Sequence, residues 1–442
     1  MNKVAFHTLG CKVNQYETEA MTGAFISAGY ELVSFDETAD VYVINTCTVT
    51  NMGDRKSRQF IRRALEKNPD AFIAVVGCYA QISPEKVQEI PGVKLIVGTN
   101  ERANIVNLVE EAKSEPGTVN KVKSIMEVYE FEDLGLSEYK GRTRAFVKIQ
   151  EGCDQYCTYC IIPYARGHVR SRKAESIIKE VENLRDRGFK EIVLTGIHIG
   201  SYGKDLSEAS LLELLVSINE IDGIERIRIG SLEPGTMTEE FLFKISSMEK
   251  LCKHFHLSLQ SGSNETLKRM NRKYTAEHYL ETVEKIRIYM PESAITTDII
   301  VGFPGETEKE FNETAEFVGK ILFTAVHVFK YSPREGTPAA KFKNQVSGSI
   351  KDFRSKAIIF IAENSALEYK KSFIGREMKV LIEQEMKNKP GWFEGLTENY
   401  LEVRIKYSMR PGVLETEGIE GKIISIKLES IESDIMVGEQ VF

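Results

Sequence analysis

The sequence predicts an α/β protein in three parts: an N-terminal parallel-sheet α/β domain, a central partial (β/α)6 barrel and a small C-terminal β-barrel. Twice along the chain, short apolar runs rich in β-branched residues alternate with helical patterns, which is typical of parallel sheets flanked by helices. After Gly375 the pattern changes to short alternating strands separated by glycine-rich turns, which is typical of a small β-barrel. A chain of 442 residues has ample length for these three parts.

The first alternating series predicts an N-terminal domain over residues 1–115. Its predicted strands are Lys3–Thr8, Val41–Asn45, Ala71–Gly77 and Lys94–Val97, and its predicted helices include Gln15–Ala28 and Arg55–Lys67. Residues 116–140 lose this rhythm and become acidic, which indicates a linker or an irregular crossover.

The second series predicts a central domain over residues 141–372, and the strands after it predict a β domain over residues 373–442. Six βα units favour an open barrel, whose functional site is expected at the C-terminal ends of its strands. The predicted barrel strands are Ala145–Gln150, Glu191–Thr195, Arg226–Gly230, Phe255–Leu259, Ile295–Ile300 and Ala325–Lys330. A long helix is predicted at Lys351–Ser372, followed by strands at Met378–Glu383, Leu401–Ile405 and Lys422–Lys427.

The composition excludes several classes of protein. With 42% hydrophobic and 28% charged residues, the chain is neither disordered nor fibrous. No apolar run approaches the roughly 18–20 residues of a membrane span, and the apolar stretch at the N-terminus is too brief for a signal peptide. We therefore expect a cytoplasmic protein with no membrane partner, in which the seven cysteines bind metal or a cluster instead of forming disulfides.

Three cysteines, Cys153, Cys157 and Cys160, lie close together in GCDQYCTYC, directly after the first strand of the second series. Three thiolates can hold three irons of a [4Fe-4S] cluster and leave the fourth iron without a protein ligand. That open iron can bind the amino and carboxylate groups of S-adenosylmethionine (SAM), so that one electron from the cluster cleaves a carbon–sulfur bond. Zinc is the alternative, but structural zinc prefers four closed ligands, and His168 would supply the fourth at an uncommon spacing.

Three further cysteines, Cys11, Cys47 and Cys78, each follow a predicted strand immediately. The carboxyl ends of neighbouring parallel strands converge on one crevice, so these three thiolates can meet although no local motif connects them. One such cysteine alone would be interpreted as a small core residue. Three in the same topological position predict a second cluster, again with an open iron, to which a substrate sulfur could bind. Cys252 has no such partner and is interpreted as a core or surface residue.

Seven spaced motifs resemble those of the radical SAM methylthiotransferase family: TLGCKVNQYE, INTCTVT, GCYAQ, the cysteine triplet with IIPYARGHVRSR, LSLQSGS, DIIVGFPGET and YSPREGTPAA. The C-terminal segment is similar to a TRAM domain. The resemblance implies two [4Fe-4S] clusters and SAM as cofactors, and insertion of a methylthio group at an unactivated carbon–hydrogen bond. In that family one SAM methylates a sulfur on the auxiliary cluster and another supplies the 5′-deoxyadenosyl radical. A low-potential electron donor such as flavodoxin or ferredoxin is implied as a partner.

Three branches of this family differ in substrate: isopentenyladenosine in tRNA, an aspartate of ribosomal protein S12, and threonylcarbamoyladenosine in tRNA. The block TLGCKVNQYETEA, with Lys12, Val13 and Tyr16, resembles the third branch, whereas the first tends toward YGCQMN and the second toward LGCPKN. The resemblance thus implies methylthiolation at carbon 2 of N6-threonylcarbamoyladenosine, position 37, in the tRNA anticodon stem-loop. A non-catalytic iron–sulfur protein that binds RNA or carries electrons is the alternative from another class, but it would not need the SAM motifs.

Polar residues beyond the predicted strand ends are candidates for binding SAM. The cofactor-binding candidates are Glu233, Gln260, Ser261, Arg272 and Gly302, together with Tyr159, which matches the position that packs against adenine in the family. Arg272 can pair with the SAM carboxylate, and its alternative interpretation is a solvated surface arginine. Gly302 allows close backbone approach to the cofactor, and a plain turn glycine is the equally simple alternative.

Positive charge is concentrated in three runs, which predicts a phosphate-binding surface for tRNA. The candidate nucleic-acid-binding residues are Arg55, Lys56, Arg58, Arg62 and Arg63 in the first run, and Arg166, Arg170 and Arg172 in the second; KRMNRK is the third run. The segment from Gly375 to Phe442 conflicts with this prediction, because it has nine Lys and Arg against thirteen Asp and Glu. Either a local face with Lys379, Arg404, Lys406 and Arg410 contacts RNA, or the target is a basic protein such as S12.

Overall fold

A computed structural model of the chain describes residues 2–135, 143–207, 209–407 and 418–441. Its N-terminal part is a six-stranded parallel sheet in the order β2-β1-β3-β4-β5-β6. The strands are β1 (Lys3–Thr8), β2 (Glu31–Leu32), β3 (Val41–Thr46), β4 (Phe72–Gly77), β5 (Val93–Val97) and β6 (Val119–Asn120). The helices are α1 (Lys12–Ser27), α2 (Asn51–Lys67), α3 (Cys78–Ile82), α4 (Pro84–Gln88) and α5 (Ile105–Lys113).

Both faces of this sheet are covered, which explains its continuous apolar strands. Every residue of β3 and β4 is buried. On β3, Val41 and Val43 belong to one hydrophobic core, while Tyr42 and Ile44 belong to the core on the opposite face. Strand β6 lies within residues 116–140, so the first part of the predicted linker completes the sheet instead of leaving it. Residues 136–140 lie outside the described residues.

The central part consists of two three-stranded parallel sheets, β7-β10-β11 and β12-β13-β14. Isolated parallel bridges between Ile227 and Leu251 and between Leu232 and Leu257 join the two sheets. The six strands are β7 (Arg144–Lys148), β10 (Glu191–Thr195), β11 (Arg226–Ile229), β12 (His254–His256), β13 (Ala294–Val301) and β14 (Ala325–Lys330), and the short pair β8 (Gln150–Glu151) and β9 (Arg170–Ser171) lies beside them. The predicted α/β class with an open six-stranded barrel is confirmed.

Helices pack around the outside of this partial barrel. They are α7 (Ala174–Asp186), α8 (Leu211–Asn219), α9 (Glu239–Ser246), α10 (Asn264–Arg269), α11 (Ala276–Tyr289), α12 (Glu308–Ile321) and α13 (Gly348–Lys371), whereas the short helix α6 (Ile162–Arg166) packs against α3 of the N-terminal part. Helix α12 begins at Glu308 because Thr307 and Glu310 form a capping box. Within the described parts of the chain, no helix has both the length and the apolar character needed to cross a membrane.

Side chains along the barrel strands alternate between two sides. On β7, Ala145 and Val147 belong to the core beneath the helices, so Phe146 faces the inside of the barrel. The same alternation places on the inside Arg228 of β11, His256 of β12, Asp298 of β13 and His327 of β14. We call this inner side the lumen.

The C-terminal part is a closed five-stranded barrel in the order β15-β16-β17-β19-β18, which confirms the predicted small β-barrel. Its strands are β15 (Glu377–Glu385), β16 (Trp392–Thr397), β17 (Glu402–Lys406), β18 (Ile423–Glu432) and β19 (Ile435–Gln440). Two of them, β16 and β19, were not predicted. The sheet closes because β17 and β19 pair in parallel, a long-range contact without a local sequence pattern. Arg410 lies outside the described residues.

Two buried arginines of β11 bind this C-terminal barrel to the central one. Arg226 donates to the carbonyls of Leu396 and Lys379 at 2.9 and 2.7 Å, and Arg228 donates to the carbonyl of Glu398 at 3.1 Å. Buried carbonyls need donors of this kind, because an unsatisfied one is costly. Hydrogen bonds from arginine side chains of β11 to backbone carbonyls of the C-terminal barrel therefore hold the barrel against this strand.

Ion pairs between the two barrels account for part of the acidity of the C-terminal segment. Arg144 pairs with Glu383 at 2.7 Å, Lys253 with Glu398 at 3.4 Å and Lys370 with Asp434 at 2.5 Å. The cations belong to the central part and the carboxylates to the C-terminal barrel. Three of its acidic side chains therefore have an intramolecular partner, so the excess negative charge does not require a basic protein partner.

Replacing Arg226 with alanine should loosen the C-terminal barrel. We expect the free energy of unfolding to fall by about 2 kcal/mol, because a hydrogen bond from a charged donor contributes roughly 1.5–3 kcal/mol. Urea unfolding of Arg226→Ala and of Arg404→Ala measures this. Arg404 forms a partly exposed pair with Glu394, so its loss should change stability by less than about 1 kcal/mol. Equal losses in the two variants would contradict the docking role of Arg226.

Candidate functional site

Cys11, Cys47 and Cys78 follow β1, β3 and β4, which are adjacent strands of the N-terminal sheet. Their thiols lie within electrostatic range of one another. Gly10 permits this approach: its φ is +107°, and a Cβ there would lie 3.1 Å from the Cys47 sulfur. The structure thus brings together three cysteines that are distant in sequence, at the edge where the strands end.

A buried arginine contacts this first triplet. Arg166, the last residue of α6, places its Nε 3.2 Å from the Cys78 sulfur and its Nη2 2.5 Å from Asn14 Oδ1. Burial raises the pKa of Cys78 to about 12, and the Arg166 charge acts in the opposite direction. A buried thiol of this kind is inert as a free nucleophile, but a cation that binds the sulfur can displace its proton.

Cys153, Cys157 and Cys160 form the second triplet in the loop between β8 and α6. Backbone hydrogen bonds hold the loop, with the amide of Cys153 donating to Gly167 at 3.0 Å and that of Cys160 to Cys157 at 2.9 Å. Burial raises the pKa of Cys153 to about 11 and of Cys160 to about 12. As in the first triplet, a buried arginine donates to one sulfur: Arg272 Nη1 lies 3.2 Å from Cys157 Sγ.

The spacing of both triplets fits an iron–sulfur cluster better than a single zinc ion. Zinc bonds to sulfur are about 2.3 Å long, so a tetrahedral site brings its sulfurs to roughly 4 Å from one another. Among the His, Cys, Asp and Glu side chains of the described residues, only His256, Asp298 and His327 place three ligand atoms within 4.8 Å of one another. The cysteines are more widely spread, as ligands of different irons would be, and each triplet has one guanidinium to balance negative charge.

Glu233 and Arg272 form one polar group beside the second triplet. Arg272 Nη2 lies 2.8 Å from Glu233 Oε1, and His198 Nε2 lies 3.3 Å from Glu233 Oε2. Burial raises the pKa of Glu233, but His198 and Arg272 outweigh burial and keep it below its usual value. The interpretation of Arg272 as a solvated surface arginine is wrong, because its side chain is only 6% exposed.

The other cofactor candidates differ in their burial and in the residues that they contact. The ring of Tyr159 packs edge-on against Phe303, and Gln260 is buried with a φ of +71°, a conformation uncommon outside glycine. Ser261 is wholly buried and its hydroxyl lies 3.1 Å from Thr314 Oγ1. This hydroxyl belongs to the barrel wall, which corrects the prediction that it binds the cofactor.

Gly302 has a structural explanation of its own. Its φ is +70°, and a Cβ there would lie 2.3 Å from Lys351 Cγ on α13. Glycine is therefore required for the turn and for helix packing, whether or not a cofactor approaches it. Cofactor binding by Gly302, Tyr159, Gln260 and Glu233 stays a prediction.

The second basic run does not form a phosphate-binding surface. Arg166, Arg170 and Arg172 are only 0%, 2% and 4% exposed. Arg172 pairs with Glu180, and Arg170 donates to the backbone carbonyl of Arg166 at 2.9 Å. The prediction that these three residues bind nucleic acid is wrong, because their charges are used inside the protein.

A buried ion network, which the sequence analysis missed, joins the N-terminal sheet to the central barrel. Its centre is Glu17 of α1, which lies 2.5 Å from Arg102, 2.9 Å from Lys148 and 2.5 Å from Arg166. Glu151 pairs with the same three cations. One sequence signal could have found it: Glu17 is four residues after Val13, on the buried face of its helix.

A second set of contacts between the N-terminal and central parts lies next to Cys47. Arg334, in the loop after β14, places its Nη1 2.7 Å from Asp54 Oδ2 and 2.8 Å from Asn51 Oδ1. Both partners lie in the first turn of α2, which Thr50 caps by accepting from the amide of Gly53. The YSPREGTPAA segment is thereby held against the loop that carries Cys47.

The first basic run lies on α2 and keeps several free charges at the surface. The exposed members are Arg55, Lys56, Arg62 and Arg63. Arg63 pairs with Asp36, and the half-buried Arg58 donates to the hydroxyl of Tyr79 at 3.1 Å. Nucleic-acid binding by this run stays a prediction.

Comparison with known proteins identifies the fold and the family. The radical SAM superfamily model matches residues 147–318, and the model described as uncharacterized protein family UPF0004 matches residues 3–98. The radical SAM methyltransferase TsrM from Kitasatospora setae, solved with cobalamin and a [4Fe-4S] cluster bound, has a TM-score of 0.56 at 16% identity and covers 77% of each chain. The fold and the cysteine triplet after β8 therefore define a radical SAM protein.

Proteins of similar sequence identify the family within this class. The threonylcarbamoyladenosine tRNA methylthiotransferase MtaB of Bacillus subtilis is 46% identical over 97% of this chain and 94% of its own. The tRNA-2-methylthio-N(6)-dimethylallyladenosine synthase of Clostridium tetani is 38% identical over 98% of this chain and 95% of its own. The chain belongs to the radical SAM methylthiotransferase family and is of the MtaB type, which confirms the resemblance seen in the seven motifs.

Replacing Glu17 with glutamine should destabilise the protein strongly at neutral pH. Removing one charge from a buried group leaves the opposite charges uncompensated and costs about 3–5 kcal/mol. Urea unfolding of Glu17→Gln measures the loss, with Glu66→Gln on the exposed face of α2 as the matched control. If the two variants unfolded alike, the network would not carry this stability.

The pH dependence gives a second measurement on the same variant. Burial alone would raise the pKa of Glu17, but Arg102, Arg166 and Lys148 lower it to about 2, below the ordinary value of 4.5. A depressed folded-state pKa gives stability that is present above 4.5 and is lost as the pH falls toward 2. The wild type should lose this increment over that range, and Glu17→Gln should lack it.

Proposed function

We propose that this protein inserts a methylthio group at carbon 2 of N6-threonylcarbamoyladenosine at position 37 of tRNA. The observation that carries the proposal is the 46% identity over 97% of the chain to a relative whose name gives threonylcarbamoyladenosine in tRNA as substrate and methylthio transfer as activity. The two cysteine triplets support it, because radical formation and sulfur transfer each need a site. The intramolecular pairing of Glu383, Glu398 and Asp434 accounts for part of the acidity that favoured S12.

In this proposal Cys153, Cys157 and Cys160 hold one [4Fe-4S] cluster, and Cys11, Cys47 and Cys78 hold the other. When bound, these groups and SAM supply the one-electron chemistry and the sulfur that is transferred. The protein's own part is to hold the cysteines and to balance their charge. Arg272 and Arg166 each donate to one cysteine sulfur from a buried position, where a hydrogen bond to an anion is strong.

The residues beside the second triplet then bind SAM. Glu233 has a lowered pKa and is ionised at neutral pH, so it can accept hydrogen bonds from hydroxyl or amino groups. Tyr159 can offer an aromatic surface for the adenine, and Gly302 and Gln260 can offer backbone groups. Arg272 pairs with Glu233 and donates a hydrogen bond to Cys157, so we assign it the role of positioning these two side chains.

The tRNA partner is proposed to lie on α2, where Arg55, Lys56 and Arg62 are exposed close after Cys47. Such a surface binds phosphates by releasing counterions, so affinity should fall with salt. A low-potential donor such as flavodoxin or ferredoxin is proposed to supply the electron. A tRNA substrate also supports a cytoplasmic location.

Mass spectrometry of tRNA nucleosides tests the substrate. A strain that lacks the gene should lose the methylthio form of threonylcarbamoyladenosine, and the purified enzyme with SAM and reductant should restore it on that tRNA. Methylthio-isopentenyladenosine serves as the internal control and should be unchanged. Loss of the isopentenyl product, or of a modified S12, would identify one of the other branches.

Cysteine variants test the division between the two triplets. Changing Cys157 to Ala should abolish 5′-deoxyadenosine formation from SAM, while Cys47→Ala should spare much of it but stop methylthiolation. Each variant should keep about half of the iron of the anaerobically reconstituted protein, roughly one [4Fe-4S] cluster instead of two. Cys252→Ala is the matched control, since Cys252 is buried in the core. Methylthiolated product from Cys47→Ala would contradict the second cluster.

A further inference from the structure

Lys12 of the N-terminal sheet domain projects into the lumen of the central barrel. It is the first residue of α1, directly after Cys11, and its Nζ lies 5.9 Å from the ring centroid of Phe146, which faces the lumen from β7. Lys12 also lies within electrostatic range of Arg144, Arg228 and Glu191, which come from the first residues of β7 and from β10 and β11. The side chain is solvent-accessible. Lys12 is therefore exposed on the inner side of the barrel next to β7, β10 and β11, and we call the space beside it the cavity.

The C-terminal barrel borders this cavity. Tyr400, in the turn between β16 and β17, stacks on His254 with 4.6 Å between ring centroids, and the Arg228 guanidinium lies 4.7 Å from its ring. Arg144 lies 5.8 Å from the same ring. Lys12 is within electrostatic range of Tyr400 as well. The lumen is therefore bordered here by an aromatic ring that lies next to two guanidinium groups, and Lys12 lies near that ring.

Among the cations of the lumen, Lys12 differs in having no carboxylate within ion-pair distance in the described parts of the chain. Arg228 lies 2.9 Å from Glu191 and Arg144 lies 2.7 Å from Glu383. The carboxylate of Asp298 lies 3.4 Å from His256 and within 4.8 Å of His327. Within the described ranges of the chain, no carboxylate oxygen comes within the 4.0 Å of an ion pair to Lys12. Glu191 is in electrostatic range of Lys12 but is paired with Arg228, so the Lys12 ammonium group is available to an anionic ligand.

We propose that Lys12 selects the substrate by binding the carboxylate of the threonylcarbamoyl group. This rests on the proposed function, because the cavity lies beside Cys11 and would receive the modified adenine. A threonylcarbamoyl group carries a carboxylate, whereas the dimethylallyl group named for the Clostridium tetani relative is an uncharged hydrocarbon. The charge of Lys12 distinguishes these two substrates, since a site built to pair a cation with the substrate carboxylate discriminates against an analogue that lacks this anion.

The test compares Lys12→Met and Lys12→Arg with the wild type on anticodon stem-loop RNAs. The RNAs carry threonylcarbamoyladenosine, its carboxylate methyl ester, or unmodified adenosine. On the carboxylate RNA, Lys12→Met should lower kcat/KM about ten- to a hundredfold, the loss expected for one charged hydrogen bond, and Lys12→Arg should retain most of it. On the ester RNA, the wild type and Lys12→Met should be similar. Lys94→Met on β5, an exposed lysine of the same sheet, is the matched control and should behave as wild type.

Two readouts do not depend on turnover. Fluorescence anisotropy should show that the wild type binds the carboxylate RNA more tightly than the ester RNA, and that Lys12→Met loses this preference. Iron content and the visible absorption of the reconstituted variant should equal those of the wild type. Loss of iron in Lys12→Met would show that Lys12 serves the neighbouring cluster, and it would overturn the proposal.

The remaining outcomes separate the proposal from the function on which it rests. Equal losses on the carboxylate and ester RNAs would show that Lys12 does not recognise the carboxylate, while methylthiolation by the wild type would leave the proposed function intact. A wild-type enzyme that modifies neither RNA would overturn both. A Lys12→Met variant that keeps full activity on the carboxylate RNA would overturn the proposal alone.

Discussion

The carboxylate of Glu17 is fully buried among three cations, Arg102, Lys148 and Arg166, and the relative position of the two cysteine triplets depends on it. Glu17 belongs to the helix that follows Cys11, Lys148 to the strand before Cys153, and Arg166 to the helix after Cys160. Buried charges tolerate little displacement, because their desolvation is compensated only by close partners. The network therefore fixes the N-terminal sheet on the barrel mouth, where both sets of strand ends open.

Arg166 connects this ion network to the first cysteine triplet. One edge of its guanidinium contacts Glu17 and Glu151, and its Nε contacts the sulfur of Cys78. The same residue thus holds two domains together and balances negative charge at the first triplet. Arg272 has the equivalent place at the second triplet, between Cys157 and Glu233. Both arginines occur in basic runs that, in the sequence alone, look like surface charge for RNA.

The C-terminal barrel has a structural role in addition to any contact with RNA. Its acidic residues Glu383 and Glu398 pair with Arg144 and Lys253, and its Tyr400 ring borders the lumen. Tyr400 belongs to the C-terminal part of the chain and Lys12 to the N-terminal part, yet both border the lumen. All three parts of the chain therefore contribute residues to the lumen, which explains why its charge cannot be read from any one of them.

Local sequence patterns determined the secondary structure, one cysteine triplet and the family of this protein. Strand and helix positions followed from hydrophobic periodicity, Cys153, Cys157 and Cys160 from their spacing, and the family from seven motifs, since each of these signals lies within a few residues. The tertiary structure decided which charges are free. Exposed Arg55 and buried Arg166 are both arginines in basic runs, and Lys12 is one lysine among many. Only the packing of distant elements supplies Arg166 with carboxylates and leaves Lys12 without an ion-pair partner among the described residues, because burial and ion pairing are long-range properties of the folded chain.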